Sequence, residues 1–356
     1  MIRFEVKDKD AKARTGIIKS PKGEISTPLF VPQTTSLGVD GVLPATLKEI
    51  GVKALFADTY RLAMRVDANK INATFGGLGG YMNWEGLLLT DSGTGGLDDF
   101  PVYSKAKEEG VFFASYIDGS RHKITPESSI ELQVNLGSDI LTGLYERADV
   151  GGKRKKIGTL LRRTARWNRR ARDIAIKHKD KLFFATITGG AYSDLRESSI
   201  KYTLPLKADG YLQDAPFKGE NRKAWLSAVA YSTSLLPEDK PCAVRGIATP
   251  AEMLESIRSG IDIIFSSAPI EKAKQGIAFT DEGEINLAEP VFFDDASIFY
   301  KQYTKSYIHH LCVAKEILGT MLIAEYNIAY FNNFVFEAVN ALKSHCFEDF
   351  MKKRGL

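Results

Sequence analysis

Thr90-Asp91-Ser92-Gly93 ends an apolar run on a carboxylate, a group that can attack an electrophilic carbon or manage a proton. Asp91 has two readings. It can be catalytic, or it can cap the Asp-Ser-Gly turn with its own side chain. A second run, Ile261-Asp262-Ile263-Ile264-Phe265-Ser266-Ser267-Ala268-Pro269, carries an acid at Asp262, which reads as structural, and a phenylalanine at Phe265. Basic residues make a third feature. Between Lys153 and Lys181 there are 13 Lys or Arg against only Asp173 and Asp180. Lys153, Arg154, Lys155 and Lys156 lead into Arg162, Arg163, Arg166, Arg169, Arg170 and Arg172. At helical spacing Arg162, Arg166, Arg169 and Arg170 share one broad side. That patch would favour phosphate backbones and release them with salt, or it is a solvated outer helix with no partner. Asp98-Asp99 and Glu108-Glu109 read as surface charge. His309 and His310 are tempting ligands, but neighbours on a helix diverge by about 100° and do not easily share an ion.

Elements must hold these residues in place. The chain has 356 residues, 44% hydrophobic and 26% charged, with a net charge of +4, which is ordinary for a globular protein with a large core. Eight short apolar runs, 29–34, 52–59, 87–92, 139–145, 182–188, 210–214, 242–247 and 261–266, alternate with helical stretches. Most end in a polar or glycine-bearing loop. They predict a parallel sheet covered on both faces, of α/β class, as a (β/α)8 TIM barrel rather than its rival, a doubly wound sheet. Gly51 suits a helix C-cap, and Thr125-Pro126 and Thr249-Pro250 suit helix starts. Residues 112–124, turning at Asp118-Gly119, read as an inserted hairpin, as do residues 278–287. From about Tyr300 the chain reads as helical. No apolar stretch is long enough for a membrane span and the N-terminus lacks a signal-peptide pattern, so a cytoplasmic protein with no membrane is the expectation. Cys242, Cys312 and Cys346 fit neither a disulfide framework nor a compact metal motif and read as reduced thiols.

Several segments together resemble the tRNA-guanine transglycosylase family, the queuosine and archaeosine enzymes, over essentially the whole chain. They are Ser26-Thr27-Pro28-Leu29-Phe30-Val31-Pro32, Asp58-Thr59-Tyr60-Arg61-Leu62, Thr90-Asp91-Ser92-Gly93 and Tyr116-Ile117-Asp118-Gly119-Ser120-Arg121-His122. Thr188-Gly189-Gly190, Asp194-Leu195-Arg196, Gly246-Ile247-Ala248-Thr249-Pro250 and Tyr307-Ile308-His309-His310-Leu311 follow in order. The resemblance implies one domain over 1–356: a barrel with an N-terminal β layer, a helical C-terminal part, and at 277–330 a degenerate counterpart of the family's zinc subdomain. It also implies action on guanine in tRNA through a covalent enzyme–ribose intermediate.

The site residues that it implies are largely replaced. The family nucleophile is the aspartate of Phe-Asp-Cys-x-x-Pro-Thr-Arg. Aligned on Pro269, that position is Phe265, with Ser266, Ile270 and Glu271 at the cysteine, threonine and arginine. The second carboxylate remains as Asp91, followed by Ser92, but Thr94-Gly95-Gly96 lacks the aromatic and glutamine of the family pattern. The guanine-reading aspartate falls on Tyr145 and a glutamine on Thr188, next to Gly189 and Gly190. Asp214-Ala215-Pro216 stands for Gly-Gly-Leu, and Arg245 for a methionine. The zinc positions become Asp295, Ser297, Tyr300 and Tyr326, so no metal or other cofactor is expected.

The leading expectation is therefore a pseudoenzyme that binds tRNA, or pairs as a homodimer or as a heterodimer with an active transglycosylase. The family includes pairs of one competent and one incompetent subunit. One alternative is an altered transglycosylase or nucleoside hydrolase in which Asp91 does the chemistry. Another is a folded barrel that keeps no partner.

Overall fold

The computed structural model describes residues 2–34, 38–93, 104–216 and 219–356. Eight parallel strands close a barrel in sequence order: β1 (Leu29–Thr34), β2 (Ala54–Ala57), β3 (Leu87–Thr90), β4 (Ile140–Thr142), β5 (Leu182–Ile187), β6 (Gly210–Gln213), β7 (Cys242–Arg245) and β8 (Ile263–Ser266). β8 returns to β1 with Ile263 opposite Leu29 and Phe265 opposite Val31. Each apolar run of the sequence contains one of these strands; β2 to β7 stop short of the polar ends, whereas β1 and β8 run to Thr34 and Ser266. Those ends turn outward into the loops that carry function in barrels.

Strand alternation divides the core in two. Leu29 and Val31, Ala54 and Phe56, Leu87 and Leu89, Ile263 and Phe265 point inward and fill the barrel. The intervening residues, such as Phe30, Leu55, Leu88 and Ile264, pack outward under the helices. The strands are buried on both faces, which is why they read as continuous apolar runs.

An antiparallel sheet of Arg3–Asp10, Ala13–Ser20 and Gly23–Thr27 covers the closed end, sending Ile2, Ile18 and Ile25 into the interior cluster. Arg14 grips Asp262 there with two bonds of 2.9 and 2.6 Å, and Asp262 also accepts from the Cys242 amide at 2.7 Å. Asp262 thus ties the N-terminal layer to the barrel, far from the mouth. The insertion after β3 has three strands, Ser104–Lys107 joining Gly110–Ala114 and Arg121–Ile124. Thr125 caps the next helix through a reciprocal pair with Ser128, and Gly51 ends its helix at φ 90°.

The C-terminal part begins with a hairpin, Ile277–Thr280 and Gly283–Asn286, and a second small one, Ile298–Tyr300 and Tyr303–Thr304. Helix therefore starts at Lys305 and not at Tyr300. Helix Ile317–Lys343 then crosses the barrel, where Phe331 meets Phe30 at 5.5 Å and Phe279 at 4.8 Å between ring centres. Among the described residues no helix is long and apolar enough to cross a membrane.

Candidate functional site at the barrel mouth

The inward register that fills the barrel also sets its mouth. Asp91 follows β3 on the side of Leu87 and Leu89, and Arg245 ends β7 on the side of Ala243. Phe265 lies beside Arg245 in the ladder of β7 and β8. Its ring centre is 4.4 Å from that of Phe56, and the residue is 1% exposed. An aromatic pair of this kind adds about 0.5–1.5 kcal/mol to the gain from burial. At Phe265 the barrel therefore has an apolar floor.

Asp91 is 1% exposed and heavily committed. Its Oδ1 accepts from the amides of Thr59 at 2.9 Å and Gly93 at 3.0 Å, and its carbonyl accepts from the Thr59 hydroxyl at 2.6 Å. Ser92 is buried, with its carbonyl accepting from Ser129 at 2.7 Å. The Arg245 guanidinium reaches across the barrel to Asp91 Oδ2 at 3.3 Å and lies 5.0 Å over the Phe56 ring. Burial works against its charge, but Tyr145, Asp91 and Asp58 raise its pKa above the ordinary arginine value. Tyr145 is itself buried, which pushes its phenol up.

Asp58, inside a segment quoted only for the resemblance, is a site residue that sequence reasoning missed. It caps helix Thr59–Ala63 by accepting from the Arg61 amide at 3.0 Å and pairs with Arg61 Nε at 3.0 Å. Burial, and then the neighbouring Asp91, push its carboxyl up to about 7. Beside this cluster opens a cavity of about 330 Å³, walled by Tyr145, Arg147, Arg222, Arg245 and the Ala215-Pro216 turn. Arg222 is held by Glu252 and by the Gly246 carbonyl, and Arg147 donates to the Pro216 carbonyl at 3.2 Å.

Thr188, Gly189 and Gly190 lie off that wall. The Thr188 hydroxyl donates to Asp214 Oδ2 at 2.7 Å, and Arg196, fully buried, donates to Asp214 Oδ1 at 2.9 Å and to the Gly190 carbonyl at 2.7 Å. Gly190 sits at φ 59°, where a Cβ would come within 2.7 Å of the Asp149 carbonyl. The structure thus brings together Asp91, Tyr145, Arg245 and Phe265, with Thr188 to Gly190 in a separate buried network. Thr94-Gly95-Gly96 and Asp98-Asp99 lie outside the described residues.

The expected zinc positions carry other interactions. Asp295 Oδ1 accepts from the Ser297 amide at 2.9 Å and hydroxyl at 2.5 Å, and Lys305 stands 3.4 Å from Oδ2. Tyr326 packs 4.2 Å from Phe299 and 5.9 Å from Tyr300 between ring centres. One carboxylate, a serine and two packed phenols make a poor zinc donor set at neutral pH, so these residues do not fit the metal. His309 is buried against the Leu287 carbonyl at 2.9 Å, whereas His310 is exposed on another side of the helix.

The basic run forms helix Arg154–Ala175. Much of its charge is answered by acids from other elements. Arg154 pairs with Asp194, Lys156 with Asp149, Arg163 with Glu146, Arg166 with Glu108, Arg170 with Glu127 and Arg172 with Asp209. Glu108, read as surface charge, is one of these partners, and its carbonyl also accepts from Trp167 at 2.9 Å. Lys153, Lys155, Arg162 and Arg169 are exposed and make no ion pair among the described residues.

A family model described as queuine tRNA-ribosyltransferase matches residues 8–355. A protein of that name from Fusobacterium nucleatum is 34% identical, over 99% of this chain and 97% of its own length. Namesakes from Deinococcus radiodurans and Rickettsia akari are 33% and 34% identical over 94% and 93% of the chain, and 86% and 94% of their own lengths. With a family model over nearly the whole chain and relatives at 33–34% identity, this chain belongs to the queuine tRNA-ribosyltransferase family.

Proposed function

We propose that this chain is a non-catalytic member of its family. In this reading it binds tRNA in the cytoplasm and serves as a dimer partner, with itself or with an active transglycosylase, in queuosine-type modification. The observation that carries this reading is the filled mouth. Phe265 packs on Phe56 at 4.4 Å, and Arg245 is bound to the remaining carboxylate of Asp91. Base exchange at a ribose needs a carboxylate free to attack the anomeric carbon. Asp91, with both oxygens bonded and almost no exposure, has no such freedom in this arrangement. Support for tRNA comes from the relatives' names and from the exposed Lys155, Arg162 and Arg169 on one helix, with Lys153 just before its start. The chain acts as one domain over 1–356, and residues 277–330 close without zinc.

The test is exchange of labelled guanine into bulk tRNA, with tRNA binding measured in parallel across salt. The reading expects no incorporation above a no-protein blank, and binding that weakens as salt rises. Incorporation would move the chemistry to Asp91, and loss of that turnover in Asp91→Asn would identify it. Absence of both exchange and tRNA binding would leave only the dimer role.

A further inference from the structure

We propose that the barrel mouth is a binding site for planar amidinium-type cations, and that the chain fills it with its own Arg245 side chain. Three observations meet there. Asp91 presents Oδ2 into the mouth, and its partner among the described residues is Arg245 Nη1 at 3.3 Å. That contact is longer than the 2.7–2.9 Å or so of a good charge-assisted bond, and it falls on Oδ2 alone because the amides of Thr59 and Gly93 already occupy Oδ1. The Phe56 face lies 5.0 Å from Arg245 Cζ, a wall that favours a flat cation. The guanidinium also borders the cavity of about 330 Å³, a volume in the range of small-ligand sites.

Charge points the same way. At the mouth two buried carboxylates, Asp58 and Asp91, neighbour the buried Arg245 guanidinium, and Arg61 answers Asp58 from outside. Removal of the Arg245 side chain would leave an acidic slot with an aromatic wall, joined to the cavity. The ligand class is set by these groups: a flat cation with edge N–H donors for Asp91 and a π-compatible face for Phe56. A tetrahedral ammonium satisfies the charge and is drawn to the ring, but it cannot stack flat on the ring or fill the planar slot that the guanidinium occupies. In the native chain Arg245 acts as an internal ligand that keeps the site closed. The inference concerns Arg245 and Asp91 alone and stands or falls separately from tRNA binding.

The experiment uses Arg245→Ala in the full chain, with ethylguanidinium and ethylammonium as probes at low millimolar concentration. Calorimetry and thermal melting are the readouts. Ethylguanidinium should bind the variant saturably, at least 10-fold tighter than ethylammonium, and raise its melting temperature. The native chain should show no saturable binding, and adding Asp91→Asn to the variant should remove it. Equal response to both cations, equal response of the native chain, or binding that survives Asp91→Asn would each overturn the proposal. If the variant is recovered unfolded, refolding is run with each probe. Recovery of native circular dichroism with ethylguanidinium alone supports the site, and recovery with neither or with both overturns it.

Discussion

Asp58 is where pH acts on this fold. Its carboxyl, pushed up to about 7 by burial and by Asp91, lies well above the value of about 3.9 in an unfolded chain. The folded state therefore keeps a proton that the unfolded chain has already lost. This contribution to stability is full below about pH 4 and is lost as pH rises through 7. The group should cost on the order of 2 kcal/mol between pH 5 and pH 8. Asp58→Asn keeps the cap on helix Thr59–Ala63 and cannot ionise, so urea denaturation should give it a flatter pH profile than the native chain. Equal slopes in the two proteins would mean that Asp58 is charged throughout. Phe265 makes a second test at this scale. Truncation to alanine opens a hole beside Phe56 and should cost about 3–5 kcal/mol in the same measurement. That Phe265 cannot attack carbon was legible from its side chain, whereas its alignment with a nucleophile rested on the resemblance alone. The bond from Arg245 to Asp91 was not legible, since it joins residues 154 positions apart and depends on barrel closure.

Helix Arg154–Ala175 shows what a linear charge count leaves out. In sequence its acids within reach are Asp173 and Asp180, and the whole run reads as a patch. In the fold, the inserted sheet brings Glu108 against Arg166, and the next helix brings Glu127 against Arg170. Trp167 is buried between them, which fixes the helix rotation and turns those arginines toward the insertion. Lys155, Arg162 and Arg169 remain on the exposed side. The reading of this element as a tRNA surface then becomes specific. Replacing Lys155, Arg162 and Arg169 together by alanine should lower the slope of log K against log salt by about 2. Arg166→Ala, which breaks a half-exposed ion pair, should change folding stability by less than about 1 kcal/mol and the slope little. Fluorescence titrations with bulk tRNA at several salt concentrations separate the two. Equal effects of both variants would place tRNA elsewhere on the molecule.

At the scale of the whole molecule, the barrel was legible because strands buried on both faces leave uninterrupted apolar runs. Several of their ends were not, because there the ladder stops where residues such as Asp58, Asp91 and Asp214 turn to side-chain bonding. The C-terminal closure was read in the sequence as a region short of zinc ligands, and in the fold it is held by packing. Phe299, Tyr326, Tyr330 and Phe334 stack in series along helix Ile317–Lys343, with ring centres 4.2, 6.3 and 5.9 Å apart. Arg354 closes the row over Phe334 at 5.2 Å while pairing with Glu337 at 2.5 Å. An aromatic row draws its stability from apolar burial and is indifferent to metal, whereas a zinc site draws it from thiolate and imidazole ligands that a chelator competes for. Prolonged incubation with excess chelator should therefore leave the melting temperature within about 1 °C, since binding that is absent cannot stabilise the native state. Tyr326→Ala should instead lower stability by about 1–3 kcal/mol, the cost of a half-buried aromatic truncation. A clear drop in melting temperature on chelation, restored by added zinc, would show that the closure holds a metal through residues other than these rings.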